Sequence, residues 1–243
     1  MDVGKSIMRA SDIGDAWGLN MVVFGNPGAG KTTYCATAQD SDKGRDTLFI
    51  DVEGGTRSIS DREDIAVLKP ETFEELKEIY DWLSKGDHKY RTIVLDSLTE
   101  IQRLSLKSVM KVSATPEQPS QPEYGKSNEN IAVLMRNFKL FSQERGWNVI
   151  ATALAVEVKD DSTGAILTRV DLTPGAAKNV FQVADTIGYL GIETTRQGNT
   201  RYLLLHQTSS ILAKHRQPRS GTQLPTRIEE PTLPMILDHK RGG

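Results

Sequence analysis

The feature that most constrains this chain is an eight-residue run, Gly25–Thr32, with the sequence Gly-Asn-Pro-Gly-Ala-Gly-Lys-Thr. It matches the phosphate-binding pattern Gly-x-x-x-x-Gly-Lys-[Ser/Thr] at every fixed position. At ordinary residue frequencies, a chance match is expected in about one in a hundred chains of this size. The run directly follows the apolar segment Leu19–Phe24 and opens Lys31–Gln39, which can form a helix. The sequence therefore predicts a strand, a phosphate-binding loop and a helix, in that order.

Each residue type in the loop has a physical reason for its position. Glycines let the backbone curl so that successive N–H groups point at one phosphate. Lys31 is expected to reach the β- and γ-phosphates of ATP, and the Thr32 hydroxyl to bind Mg²⁺. The alternative is a glycine-rich turn without a ligand. The predicted nucleotide-binding residues are Gly25, Asn26, Pro27, Gly28, Ala29, Gly30, Lys31, Thr32 and Thr33.

Three further apolar runs have the composition of strands that are buried on both faces of a parallel sheet. They are Thr47–Asp51, Thr92–Asp96 and Asn148–Thr152. Apolar residues at helical spacing lie between them, over 73–83 and 131–141. Strands that alternate with helices predict an α/β fold, with a mostly parallel sheet flanked by helices.

The pattern of apolar and polar residues changes after residue 152. Thr186–Ile192 and Arg201–His206 predict an antiparallel hairpin extension at the C-terminal side of the sheet. Three segments rich in polar residues or proline are expected to be irregular: Ser113–Ser127, Val158–Pro174 with a brief strand-like run, and an extended strap over Gln217–Pro234. The predicted organisation is a short N-terminal segment over 1–18, one α/β core over 19–216 and a tail over 217–243.

An aspartate ends the strand-like run Thr92–Asp96. Open α/β sheets bind ligands at the carboxyl ends of their strands. Asp96 is therefore expected to hold the magnesium together with Thr32. The alternative is that Asp96 or Ser97 caps the helix that follows.

A second strand-like run ends in acidic residues, within Asp51-Val52-Glu53. Strand alternation would place Asp51 and Glu53 on the same side, near the carboxyl end of the strand. Glu53, which two glycines follow, is expected to be the catalytic carboxylate that activates the attacking water. The alternative is that Glu53 pairs with Arg57.

Charge and composition limit the remaining possibilities. A formal net charge of −2 over 243 residues argues against a generally basic nucleic-acid binder but is compatible with a local basic groove. The single cysteine, Cys35, excludes a disulfide framework and is expected to be a small buried hydrophobe. The N-terminus has no apolar targeting segment, and no run reaches membrane-spanning length. These features favour a soluble cytoplasmic protein without a membrane partner.

With these motifs, the chain resembles RecA-type ATPases and, more narrowly, the phage-encoded minimal RecA-like recombinases of the Sak-four type, which are single-strand annealing or pairing proteins. The resemblance covers residues 19 to 235. In this family the catalytic glutamate ends the strand after the P-loop helix, as Glu53 does here, and the magnesium aspartate ends a later strand, as Asp96 does. The stretches that carry the resemblance are GNPGAGKTT, LFIDVEGGTRSI, TFEELKEI, YRTIVLDSLTEI, YGKSNENI, NVIATA and ILAKHR…LP.

The resemblance implies a head-to-tail homo-oligomer, either a ring or a filament, in the cytoplasm of a bacterial host. Lys214 and Arg216 match the family's basic pair in place and spacing. They are candidate catalytic fingers that reach the γ-phosphate bound by a neighbouring subunit. The alternative is that they are solvated charges near the end of the domain.

The resemblance also implies that single-stranded DNA binds to two loops, which correspond to 113–127 and 158–177. The candidate DNA-binding residues are Lys126, Lys159, Arg169 and Lys178, with Tyr124 as a stacking surface. For each of them, the alternative is a solvated charged or polar face. The helical row Arg103, Lys107 and Lys111 could extend a DNA track, but a solvated face is the favoured interpretation. A single-strand-binding protein and an exonuclease are candidate protein partners.

One departure from the family lies in Thr152-Ala153-Leu154-Ala155, where relatives often carry a His or Gln that senses the γ-phosphate; Thr152 is the obvious substitute. The function expected from the resemblance is an ATPase that promotes DNA annealing or strand pairing in phage recombination. Three alternatives are a helicase or translocase motor, a nucleotide-switched regulator of a protein partner, and a small-molecule kinase. The sequence shows no accessory DNA-binding domain, which counts against the motor. It shows no arginine-rich lid, which counts against the kinase.

Overall fold

The computed structural model describes residues 17–111, 118–159, 164–196, 198–216 and 223–239. The strands are β1 (Asn20–Gly25), β2 (Thr47–Asp51), β3 (Ala66–Leu68), β4 (Thr92–Asp96), β5 (Asn148–Lys159), β6 (Ile166–Val170), β7 (Thr186–Thr195), β8 (Gly198–Leu204), β9 (Lys214–His215) and β10 (Arg227–Glu229). The α-helices are α1 (Lys31–Ala36), α2 (Phe73–Lys85), α3 (Leu98–Met110), α4 (Gln121–Glu144), α5 (Pro174–Val183) and α6 (Leu233–His239).

The strands form one sheet in the order β10-β8-β7-β1-β5-β4-β2-β3. The six strands from β7 to β3 in this order run parallel to their neighbours. β7, β8 and β10 pair antiparallel at the C-terminal side, and the ends of β5 and β6 form a second antiparallel pair. The predicted α/β fold, with a mostly parallel sheet and an antiparallel C-terminal extension, is confirmed.

The central strands are buried because both faces of the sheet are covered. In β1, Val22 and Phe24 pack into the core shared with helices α2 to α5, while Met21 and Val23 pack on the opposite face with α1 and α6. This arrangement explains why the strands are continuous apolar runs and not alternating ones. Cys35 is fully buried in the second of these layers, as expected.

The structure corrects the prediction that 113–127 is irregular throughout. Residues 113–117 lie outside the described part of the chain, but 121–127 form the first turns of α4. Ser120 and Glu123 form a reciprocal capping box at its start, and Pro122 occupies the first turn. Proline is tolerated there because the first N–H groups of a helix have no helical partner.

The structure also corrects the two later segments that were expected to be irregular. Within 158–174, the brief strand-like run that the sequence predicts is β6, but its pairing with the end of β5 was not predicted; residues 160–163 lie outside the described chain. Within 217–234, residues 217–222 are likewise outside it, and β10 is extended as expected. The prediction is wrong at Leu233, where α6 begins.

One buried side chain joins the amino-terminal ends of three strands. Asn148, 3% exposed at the start of β5, accepts a hydrogen bond from the N–H of Leu19 at 3.1 Å. Its amide nitrogen donates to the carbonyl of Lys43 at 2.7 Å and to Oγ1 of Thr92 at 3.0 Å. These bonds satisfy polar groups that burial would otherwise leave without partners.

Replacing Asn148→Ala should lower the free energy of unfolding by about 2–4 kcal/mol, because it leaves buried donors and acceptors unpaired. Denaturant unfolding followed by circular dichroism measures this change. Asn199→Ala, at an exposed position in β8, is the matched control and should change stability little. Equal, small effects of both replacements would contradict the structural role of Asn148.

Candidate functional site

The phosphate-binding loop lies at the carboxyl end of β1, where the strand ends at Gly25. Asn26, Pro27 and Gly28 form its exposed tip. Gly28 and Gly30 have φ values of 78° and 92°, in the left-handed region that favours glycine. The sequence motif therefore adopts the curled backbone that its glycines predict.

Lys31 is folded against its own loop and is 8% exposed. Its ammonium donates to the carbonyls of Gly25 at 3.1 Å and Asn26 at 3.2 Å. Burial lowers the pKa of Lys31, while the negative charges of Glu53 and Asp96 act in the opposite direction. The ammonium of Lys31 is thus held by two carbonyls of the loop itself.

Asp96 is buried at the end of β4, and each of its carboxylate oxygens has a hydroxyl donor. Thr32 donates to Oδ2 at 2.7 Å, and Thr152 of the adjacent strand β5 donates to Oδ1. Burial raises the pKa of Asp96, and the two hydroxyl bonds oppose that rise. The residue at the N-cap of α3 is Ser97, whose side chain forms no cap bond, so Asp96 faces the loop and does not act as a helix cap.

Asp51 and Glu53 have different surroundings, because β2 ends at Asp51. The Asp51 carboxylate accepts the N–H groups of Gly54 at 2.7 Å, Gly55 at 3.1 Å and Thr56 at 3.2 Å, and the Thr56 hydroxyl. Asp51 is buried, whereas Glu53 is exposed. The expectation that strand alternation places the two acids together is therefore wrong, and Asp51 shapes the loop that carries Glu53.

The backbone brings Glu53 beside Asp96. The N–H groups of Val52 and Glu53 both donate to the carbonyl of Asp96, at 2.7 Å and 3.2 Å. A Cβ on Gly55 would lie 2.8 Å from Oγ1 of Thr32 and 2.9 Å from Oδ2 of Asp96, so glycine is needed there. Within the described ranges, no ion pair joins Glu53 to Arg57. The side chain of Glu53 is exposed at this edge of the sheet.

Comparison with known proteins places the chain in a family. A family model described as "AAA domain" matches residues 18–217. The chain belongs to this AAA domain family. It is a P-loop ATPase domain of the AAA type, and ATP with magnesium is the ligand class of such domains.

Structural comparison finds similar chains among the solved structures. A KaiC-like protein, PH0186, from the hyperthermophilic archaeon Pyrococcus horikoshii OT3 is 16% identical, with a TM-score of 0.47 and 83% coverage of each chain. No curated protein matches the sequence.

Lys214 and Arg216 of this AAA domain contact the carboxyl end of α5 in their own chain. The ammonium of Lys214 donates to the carbonyl of Phe181 and lies 5.1 Å from the centre of its ring. Arg216 pairs with Asp185 at 2.8 Å, and Lys139 pairs with the same carboxylate oxygen at 2.8 Å. Lys214 is thus half-buried against α5, whereas Arg216 remains exposed although it pairs with Asp185.

The candidate DNA-binding residues lie on four elements. Lys126 is exposed near the start of α4, and Lys159 is exposed at the end of β5. Arg169 of β6 and Lys178 of α5 line one groove of about 370 Å³, which Phe181 also lines. The guanidinium of Arg169 donates to the carbonyls of Val170 at 3.1 Å and Leu172 at 3.0 Å. The structure therefore brings Arg169 and Lys178 to one surface.

The neighbouring candidates are placed as follows. Tyr124 is half-buried on α4. In the row along α3, Arg103 pairs with Glu100, which agrees with a solvated charged face.

A partly buried polar cluster that the sequence did not reveal joins both predicted DNA loops to α3. The amide of Gln102 donates to Oγ1 of Thr173 at 2.6 Å and to Oδ1 of Asn128 at 3.3 Å, and its carbonyl oxygen accepts the Thr173 N–H at 3.0 Å. Thr173 precedes α5 and Asn128 lies in α4, where the two loops end. Since α3 begins two residues after Asp96, this cluster links the loop ends to the nucleotide site.

A second residue without a sequence signal is Arg201 of β8. Its Nε donates to the carbonyl of Ala29, within the phosphate-binding loop, at 3.2 Å. A lone arginine in a strand carries no motif, and only the pairing of β7 with β1 and β8 places it there.

In the part of the chain that the structure describes, no helix has both the length and the apolar character required to cross a membrane.

Burial, and then the positive charge of Arg216, lower the pKa of Lys214 to about 8, while Asp185 acts to raise it. Replacing Arg216→Ala should therefore raise the pKa of Lys214, because it removes the nearby positive charge. Nuclear magnetic resonance titration of the lysine Cε signal measures this pKa. Arg103→Ala, which removes a cation from α3, is the control and should leave it unchanged; a pKa insensitive to Arg216 would contradict the coupling.

Proposed function

We propose that this AAA domain hydrolyses ATP within a head-to-tail assembly of identical subunits, binds single-stranded DNA and promotes annealing or strand pairing. The observation that carries the proposal is the convergence of Lys31, Thr32, Asp96 and Glu53 at one edge of the sheet. The resemblance to minimal RecA-like recombinases supplies the DNA part, together with candidate partners such as a single-strand-binding protein or an exonuclease.

The proposed nucleotide site uses the backbone of the loop and the ammonium of Lys31. The two carbonyls that now accept the ammonium are neutral, so a phosphate can replace them as the stronger acceptor. The Thr32 hydroxyl and the Asp96 carboxylate, 2.7 Å apart, are oxygen ligands of the kind that Mg²⁺ prefers, held directly or through its water. When bound, the metal would neutralise the charge that develops on the phosphates.

Glu53 is the proposed catalytic carboxylate. Its backbone is tied to Asp96, its side chain is exposed at the sheet edge, and the Asp51 side chain fixes the loop that follows it. In this position Glu53 can orient a water molecule and accept its proton. Thr152, which donates to Asp96, is the proposed polar link between the metal aspartate and β5.

Lys214 and Arg216 are the proposed fingers that act on the nucleotide of a neighbouring subunit. A head-to-tail interface joins two different surfaces, so one subunit can supply the loop while the next supplies the cations. Such a contact would make hydrolysis depend on assembly. Ring and filament both satisfy this geometry.

The DNA part of the proposal rests on the surface near Arg169 and Lys178. Two cations and the Phe181 ring beside one groove are the chemistry that binds a single strand, by phosphate contact and base stacking. The cluster around Gln102 supports coupling, because it joins the ends of both loops to the helix after Asp96. A strand bound at this surface could therefore alter the nucleotide site.

Replacing Glu53→Gln should lower kcat by about 10²–10⁴-fold while ATP still binds, because the amide keeps the shape but cannot accept a proton. Glu63→Gln, at an exposed position, is the matched control. Steady-state ATP hydrolysis and equilibrium binding measure the two effects. Normal turnover by the Glu53 variant would place the catalytic base elsewhere.

Mixing two inactive variants tests the fingers. Glu53→Gln and Arg216→Ala should each be inactive, but in a random mixed assembly about a quarter of the interfaces pair an intact Glu53 with an intact Arg216. Hydrolysis should therefore recover in part on mixing. No recovery, or full activity of Arg216→Ala alone, would contradict action between subunits.

The proposed function is tested by ATP hydrolysis with single-stranded DNA, double-stranded DNA or no DNA, at low and moderate salt. Salt-sensitive stimulation specific to single strands is expected, and Arg169→Ala with Lys178→Ala should weaken it. Lys85→Ala, an exposed lysine at the end of α2, is the control. Turnover without a DNA response would favour a nucleotide-switched regulator, and equal stimulation by duplex DNA would favour a translocase.

A further inference from the structure

Arg201 contacts the phosphate-binding loop from the antiparallel side of the sheet. Besides the bond from its Nε to the Ala29 carbonyl, its side chain lies directly on Gly30. A Cβ added to Gly30 would be 2.9 Å from Nε, 3.6 Å from Cδ and 3.7 Å from Cζ of Arg201. The arginine and the glycine thus pack against each other without space for another side chain.

Both backbone polar groups of Arg201 are hydrogen-bonded to Glu230. Its N–H donates to Oε1 of Glu230 at 2.9 Å, and its carbonyl accepts the N–H of Glu230 at 2.8 Å. Leu203, two residues along the same strand face, is buried with Ala29 and Leu190. The position of Arg201 beside the loop therefore follows from strand pairing and core packing.

The outer part of the guanidinium is unused. In the ranges that the structure describes, neither Nη atom has a hydrogen bond, and no carboxylate lies within 4 Å to pair with Arg201. Arg227, on the neighbouring strand β10, differs because it pairs with Glu193 and Glu229 and lies 4.0 Å from the Tyr202 ring. An exposed planar cation is thus anchored at the loop by one nitrogen and leaves two nitrogens for a ligand.

We propose that Arg201 binds the nucleoside half of the nucleotide, a role that rests on the ATP binding proposed above. Lys31, Thr32 and Asp96 mark the end of the site that receives the terminal phosphates and the metal. Arg201 lies at Ala29 and Gly30, on a different side of the loop and from a different part of the sheet. A planar guanidinium stacks on aromatic rings and donates to sugar and phosphate oxygens, so it suits the base and its ribose.

The experiment compares the binding of ATP, ADP and inorganic tripolyphosphate, each with Mg²⁺, to the full chain. Arg201→Ala should weaken the binding of ATP and of ADP by about 10-fold each, while the binding of tripolyphosphate stays unchanged. In steady-state hydrolysis, Arg201→Ala should raise KM, while kcat stays within about twofold of the value for the unmodified chain. Arg201→Lys should restore binding only in part because it lacks the planar group, and Arg196→Ala, an exposed arginine of the same hairpin, is the control.

Two outcomes would overturn the inference while leaving the proposed ATPase intact. If Arg201→Ala weakens the binding of tripolyphosphate as much as that of ATP, Arg201 acts only by holding the loop through Ala29. If no ligand weakens, Arg201 does not contribute to binding. Failure of the unmodified chain to bind ATP would instead overturn the proposed function itself.

Discussion

The site is organised around a single buried carboxylate. Asp96 receives the hydroxyls of Thr32 and Thr152 on its two side-chain oxygens, and its backbone carbonyl receives the N–H groups of Val52 and Glu53. A carboxylate taken out of water is costly unless it is hydrogen-bonded, and here the partners of Asp96 come from three different parts of the fold. The loop after β2, the helix after the phosphate loop and strand β5 are all held to the end of β4.

Much of this arrangement could be predicted from local sequence. β2 and β4 begin and end where their apolar runs do, because strands buried on both faces must be apolar throughout and a carboxylate ends each run at the ligand edge. The phosphate loop is recognisable because its backbone shape requires glycine at fixed positions. These features depend on neighbours in sequence, so a pattern can report them.

The failures have equally physical reasons. The sequence pattern does not distinguish the surroundings of Asp51 from those of Glu53. In the structure β2 ends at Asp51, so Asp51 is buried and holds the loop, whereas Glu53 is exposed. The start of α4 was hidden by proline-rich, glutamine-rich composition, although Ser120 and Glu123 carried the capping signal. Arg201 and Gln102 could not be found from sequence, because their contacts depend on strand order and helix packing between residues far apart in the chain.

The ion pairs beside the end of α5 determine the electrostatic cost of moving Arg216 away from Asp185. Asp185 is shared by a lysine that is 15% exposed and an arginine that is 58% exposed. Removing one partner of a buried ion pair is strongly unfavourable because it leaves a charge uncompensated. If Arg216 swings away, however, Lys139 still neutralises Asp185. Moving Arg216 away from Asp185 would therefore cost little electrostatic free energy, because the carboxylate would stay neutralised.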